Sequence, residues 1–227
     1  LSAILAGRER WQIIRSLEFP HVDAKSENNP VKQLFQKTGD FDQFIENTTM
    51  LVRGKKGTGK TQLYYTTLNF PEVVKEKAKG RLDNVIAMSG HGPVTPHPGK
   101  EDFAAFNRAF NEKNIPWDRF WKVYAFYRLI TKPETKGAVL SKRSLKQLNE
   151  AFKNRPSVTD RWSTEHTNFI LSICLQDHLE LLIRDALHEI NSKLEKESKY
   201  AWLLYDDLDQ DIQEYTKNCI TSLHVWQ

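Results

Sequence analysis

Two stretches of this chain hold residues whose types and spacing could do chemistry. The first is "GKKGTGKT", Gly54 to Thr61, which satisfies G-x-x-x-x-G-K-[ST] at every fixed position. Gly54, Gly57 and Gly59 permit a tight turn that aims successive backbone N–H groups at a phosphate, and the start of a following helix adds partial positive charge. In such a cradle Lys60 is expected to bridge the β- and γ-phosphates, with the Thr61 hydroxyl on Mg²⁺. The nucleotide-binding set then comprises Gly54, Lys55, Lys56, Gly57, Thr58, Gly59, Lys60, Thr61 and Gln62. The second stretch is "WLLYDDLD", apolar positions followed by Asp206, Asp207 and Asp209. Asp206 is the candidate on the metal side, and Asp207 is placed to orient or deprotonate an attacking water. The same carboxylates would also suit the N-terminus of a helix, so a capping role stays open for them.

Two other patterns resemble sites without completing one. "TKPE", Thr131 to Glu134, has glutamate where a guanine-specificity motif has aspartate, and it precedes the acidic stretch, so it reads as a helix stop at Pro133. Adenine is favoured over guanine by that absence. His91 and His97 in "HGPVTPH" would need further ligands to hold a metal, and the expectation is a loop with two surface histidines. A γ-phosphate sensor at the end of a strand is the alternative for that loop.

The elements that must position these groups follow from periodicity. "TMLVRG", residues 49–54, is rich in β-formers and ends at glycine; a helix follows from Lys60 to about Asn69, and "FPEVVKEKAKG" brings the chain back. "DNVIAMSG", Asp83 to Gly90, is an apolar run of the sort buried on both faces of a parallel sheet. From Glu101 to about Lys196 the sequence is almost entirely helical. Phe103, Phe106 and Phe110 form one stripe, and Trp117, Phe120, Trp121, Tyr124 and Tyr127 form another. A shorter helix, "SKRSLKQLNEAFK", precedes one long helix from "TEHTNFIL" through "KLEKESK", with Phe169, Ile173, Leu179, Ile183 and Ile190 at core spacing. The aromatic stripes read as core in preference to a base-stacking surface. A third strand, Tyr200 to Asp207, ends in the carboxylates, and "QDIQEYTKNCITSLHVW" reads as a closing helix. Alternating strands and helices make the fold class α/β: a mostly parallel sheet flanked by helices, with a helical insertion over about 101–197 between the second strand and the acidic one. Residues 1–48 form a helical lead-in, with helices at 1–17 and 31–39, and 49–227 form the phosphate-binding domain.

Composition narrows the classes further. With 33 basic and 29 acidic residues interleaved, the net charge of +4 is weak support for a nucleic-acid partner. The two cysteines, Cys174 and Cys219, have neither C-x-x-C spacing nor a histidine cluster beside them, which fits a reducing, cytoplasmic setting. No apolar run approaches the roughly 18 residues that a membrane span needs. The chain opens at Leu1 and stops in the apolar "SLHVWQ", which suggests a fragment.

The pattern "LVRGKKGTGKTQLYY … NVIAMSGHG … WDRFWKVYAFYRLI … WLLYDDLDQDI … SLHVWQ" resembles bacterial P-loop ATPases of the signal-transducing, STAND- and KAP-like kind, within the ASCE division. The resemblance covers most of 49–227, and its two Walker elements are the specific part. It implies ATP and Mg²⁺ as ligands, with Asp206 as metal contact and Asp207 as catalytic base. It also implies partner domains in the same polypeptide or a homo-oligomer, with roles in stress or phage-defence signalling. In that division a strand carrying a polar sensor lies between the P-loop strand and the acidic strand, and the chain ends before any such strand, so the domain is expected to lack its C-terminal part. The arginine finger is unassigned among Arg53, Arg81 and Arg184. The rival family is MinD/ParA: Lys55 stands five residues before Lys60, where the deviant Walker motif keeps its signature lysine. The rival usually lacks so large a helical insertion, and the ASCE reading is preferred. The expected function is ATP binding and hydrolysis that drives conformational change or assembly; a nucleotide-sensing scaffold without turnover is the alternative.

Overall fold

The computed structural model describes residues 41–46, 57–131, 142–157, 161–212 and 219. The expected strand at 49–54, with Gly54, Lys55 and Lys56, lies outside them. So do the lead-in helices, the segment after Thr131 that holds "KPE", and the closing helix except for its first residues and Cys219.

The chain enters through a short turn of helix, α1 (Phe41–Phe44), and resumes at the cradle helix α2 (Lys60–Asn69), whose bounds match the sequence reading. Pro71, with its φ already fixed for a helix, opens α3 (Pro71–Ala78), which ends at Lys79 in the left-handed region. Strand β1 (Val85–His91) follows, one residue past the expected end. Five helices then separate it from the second strand among the described residues: α4 (Lys100–Lys113), α5 (Trp117–Thr131), α6 (Lys142–Ala151), α7 (Thr164–Cys174) and α8 (Asp177–Lys196). Strand β2 (Tyr200–Tyr205) pairs with β1, and α9 (Leu208–Asp211) follows it. No helix among the described residues is long and apolar enough to cross a membrane.

The described sheet has two parallel strands, in register from Val85 opposite Tyr200 to His91 opposite Tyr205, with an irregularity between Ser89 and His91. Parallel pairing sets both C-terminal ends at the same edge, and the Asp206 N–H donates to the His91 carbonyl at 2.9 Å. Side chains alternate across the sheet, so each face serves a different core. Val85 and Trp202 join a small cluster with Phe41, Ile45, Val73, Val74, Ala78 and Leu82. Ile86, Ala201 and Tyr205 pack against a larger cluster built from α4, α5, α7 and α8. The expected burial on both faces holds for β1 better than for β2, whose residues are half-buried beyond exposed Tyr200.

The aromatic stripes are core, as their spacing indicates. Phe103, Phe106, Phe120 and Tyr127 have no exposed surface, and Phe110, Trp121 and Tyr124 are almost as deeply buried. Phe120 and Tyr124, one turn apart on α5, stack at 5.4 Å, while Phe106 meets Phe120 at 4.8 Å.

The expected single helix from 164 to 199 is corrected: it is broken at Leu175 and Gln176, whose φ of −109° and ψ of 103° at Gln176 leave the helical region. The cause lies on another element. Arg119 of α5 donates to the Cys174 carbonyl at 3.1 Å, which would otherwise be left over at a helix end, and pairs with Asp177 in the next first turn at 2.7 Å.

Candidate functional site

The described part of the cradle begins at Gly57. Gly57 and Gly59 have φ of 86° and 83°, the left-handed region that glycine enters at no steric cost, and a Cβ at either would meet nothing within 4 Å. Gly59 is the N-cap of α2 and offers no side-chain cap, and the first turn of α2 holds no acidic residue. The positive end of this ten-residue helix is therefore left uncompensated by its own sequence. Lys60, Thr61 and Gln62 form that first turn and are half-buried. Gln62 reaches along the helix, its Nε2 donating to Thr66 Oγ1 at 3.4 Å.

What aims the cradle helix is Tyr64, one turn beyond Lys60 and therefore on the same helical face. Its hydroxyl meets Ser89 Oγ at 2.6 Å near the C-terminal end of β1, and Ser89 Oγ also accepts from Thr95 Oγ1 at 2.7 Å. Burial pushes the Tyr64 phenol well above its ordinary range, with the Asp206 charge adding to the rise. Gly92 sits between the two groups. A Cβ there would stand 2.9 Å from the Tyr64 hydroxyl and ring and 3.2 Å from Asp206 Cβ, so the strand end accepts glycine alone. The cradle helix and the acid after β2 thus meet across one residue.

Asp206 follows β2 directly, and its Oδ2 is buried with no hydrogen-bond partner among the described residues. An orphaned carboxylate oxygen is costly unless a cation or an ordered water completes it, so this donor fits a hydrated divalent ion. Asp207, at φ 57°, is the N-cap of α9, yet it makes no side-chain capping hydrogen bond. Asp207 thus stands where the capping alternative puts an acid, and both readings of it stay open.

His91 overturns an expectation. It is not a surface residue: as the last residue of β1 it has no exposed surface, and His97 is only a quarter exposed. His91 Nδ1 lies 2.8 Å from the Asp206 carbonyl, and Nε2 lies 3.2 Å from both the Pro98 carbonyl and Asp211 Oδ2. The rings of His91 and His97 are 4.0 Å apart. Burial, helped by His97, pushes the His91 pKa down to about 4, against the opposing pull of the Asp206 carbonyl and Asp211.

Sequence reasoning also missed Arg128. It is 4% exposed, and among the described residues its partners are the Tyr124 hydroxyl at 2.7 Å, the Pro96 carbonyl and the faces of Tyr124 and Trp162, rather than a carboxylate. Tyr124 in turn donates to the Gly90 carbonyl at 2.6 Å, anchoring this cation at the same strand end. Its i,i+4 spacing from Tyr124, a residue of the core stripe, was readable; that Arg128 itself faces inward was not. Of the arginines singled out by sequence, Arg81 pairs with Asp42 before the start of β1, the end remote from Asp206. Arg184 lies beside Asp185 on an exposed face, and Arg53 is outside the described residues. No protein-family model matches this chain, and no curated protein or solved structure matches it.

Proposed function

We propose that this chain binds ATP with Mg²⁺ at Gly54–Gln62 and hydrolyses it, driving conformational change or assembly in a signalling or defence-type protein. The observation that supports this best is the buried, unpartnered Asp206 Oδ2 beside the helix that starts at the glycine turn. A carboxylate desolvated without a partner is tolerated where function requires it. Mg²⁺ held by the Thr61 hydroxyl and Asp206 would neutralise charge on the phosphate oxygens.

The chain's own residues supply the remainder. N–H groups at the uncapped start of α2 bind phosphate oxygens, and Lys60 adds a full positive charge. Asp207, next to Asp206 at the end of β2, accepts the proton of the attacking water. Arg128, a buried cation with no carboxylate partner among the described residues, adds positive potential at the strand ends, where it already acts on Tyr64.

In a binding titration, Lys60→Ala should weaken ATP by about 10–150-fold, in keeping with the ~1.5–3 kcal/mol of charge-assisted hydrogen bonds. Asp207→Asn should bind ATP normally and release no phosphate in a single-turnover assay. Unchanged affinity in Lys60→Ala removes the cradle assignment. Tight ATP binding by the unmodified chain with no phosphate release over hours converts the reading to a nucleotide-sensing scaffold.

A further inference from the structure

We propose that His91, His97 and Asp211 hold a divalent transition-metal ion of the zinc class, which ties the loop after β1 to the helix after β2. His91 Nε2, His97 Nδ1 and a carboxylate oxygen of Asp211 all lie within 4.8 Å of one another. Asp211 Oδ2 is 3.2 Å from the first nitrogen and 3.9 Å from the second. The Pro98 carbonyl oxygen is 3.2 Å from each nitrogen. Ligands at about 2.0–2.1 Å in a tetrahedron stand about 3.3 Å apart, so the three 3.2 Å separations match the edges of a zinc site and the 3.9 Å one must shorten for an ion to bind. Nitrogen donors together with one carboxylate favour a first-row transition metal over Mg²⁺ or Ca²⁺, which prefer all-oxygen shells.

Hydrogen-bond accounting leads to the same place. The Asp206 carbonyl, at 2.8 Å, takes the Nδ1 proton of His91. That leaves Nε2 as a lone pair directed among further acceptors, the Pro98 carbonyl and the Asp211 carboxylate. A neutral imidazole has one N–H and cannot serve both sides, and a wholly buried ring strongly favours the neutral form. A cation at Nε2 satisfies all of these atoms at once. Nδ1–H bonding to a backbone carbonyl is also the arrangement that orients metal-binding histidines. His97 lines a cavity of about 430 Å³ shared with Gly92, Thr95, Asp102 and Arg161, so an ion can enter and a water or small ligand can take an open position.

The site differs from the one proposed for Mg²⁺ and does not depend on nucleotide binding. The test uses the full chain freed of metal by chelation, titrated with Zn²⁺ against a competing indicator, without nucleotide. One equivalent should bind, and Co²⁺ in its place should give the intense visible absorption of a four-coordinate ion. His97→Ala and Asp211→Asn, both at partly exposed positions, should each weaken Zn²⁺ by at least about 100-fold. Their circular dichroism should match that of the unaltered chain. Lys60→Ala and Asp206→Asn should keep the affinity, which separates failure of this site from failure of the nucleotide reading. Absence of a stoichiometric Zn²⁺ site, or unchanged affinity in both histidine-loop and Asp211 variants, overturns the proposal.

Discussion

At the residue scale, Gly92 is where the cradle helix and the acidic strand end both crowd one backbone position, leaving no room for a Cβ. Its φ of 127° lies where side chains are rarely found, and the nearest atoms belong to Tyr64 and Asp206. Gly92→Ala should therefore cost about 1–3 kcal/mol in urea unfolding from backbone strain and contact together. It should also perturb ATP affinity, since either Tyr64 or Asp206 must move. His91 supplies a pH dependence. Its folded pKa of about 4 lies below the ordinary 6.5, so the unfolded chain takes up a proton first as pH falls. In metal-free protein the contribution of His91 is fully present above pH 6.5, lost progressively between 6.5 and 4, and constant below. Facing this ring are His97, Asp211 and the Asp206 and Pro98 carbonyls. An NMR titration of the His91 ring should show a midpoint near 4, and a midpoint near 6.5 would refute the assignment.

At the element scale, the sequence and the structure agree where local chemistry suffices and part where a distant residue intervenes. The cradle helix begins after a left-handed glycine and ends at Asn69, both readable from residue types alone. The break between α7 and α8 is not readable: "CLQD" contains neither glycine nor proline, and apolar spacing continues across it from Ile173 to Leu179. Arg119, 55 positions before Cys174, accepts the task of completing that helix end. The burial of His91 was hidden for a similar reason, since Asp211, 3.2 Å from its ring, stands after the second described strand. Arg119→Ala should lower stability by about 1–3 kcal/mol, because it leaves the Cys174 carbonyl without its donor and Glu180 without its 3.3 Å partner. Asp177→Ala should cost under about 1 kcal/mol, because that carboxylate is 88% exposed. Equal losses in the two variants would show that the surface pair, and not the capped carbonyl, holds the break.

At the scale of the whole molecule, the sheet separates a small cluster carrying α1 and α3 from a large aromatic one that contains both cysteines. The aromatic stripes identified that larger core in advance because their spacing alone fixes one helical face. How Cys219 joins it was hidden: among the described residues it packs into that core, and Trp121 Nε1 donates to its carbonyl at 2.7 Å. Burial pushes the Cys219 thiol up to about 12 and raises the Cys174 thiol further, so almost no thiolate exists at neutral pH in the closed molecule. Alkylation must wait for opening, and its rate reports the free energy of the opening that exposes each thiol. Trp121→Phe retains most of the ring packing and removes one hydrogen bond to the Cys219 carbonyl, about 0.5–1.5 kcal/mol. If Cys219 is exposed by an opening of its own, its alkylation should accelerate by roughly 2–13-fold while Cys174, held in α7 without that bond, keeps its rate. Equal acceleration at both thiols would mean that Cys219 is exposed only when the whole aromatic core opens, making it part of one cooperative unit with Cys174.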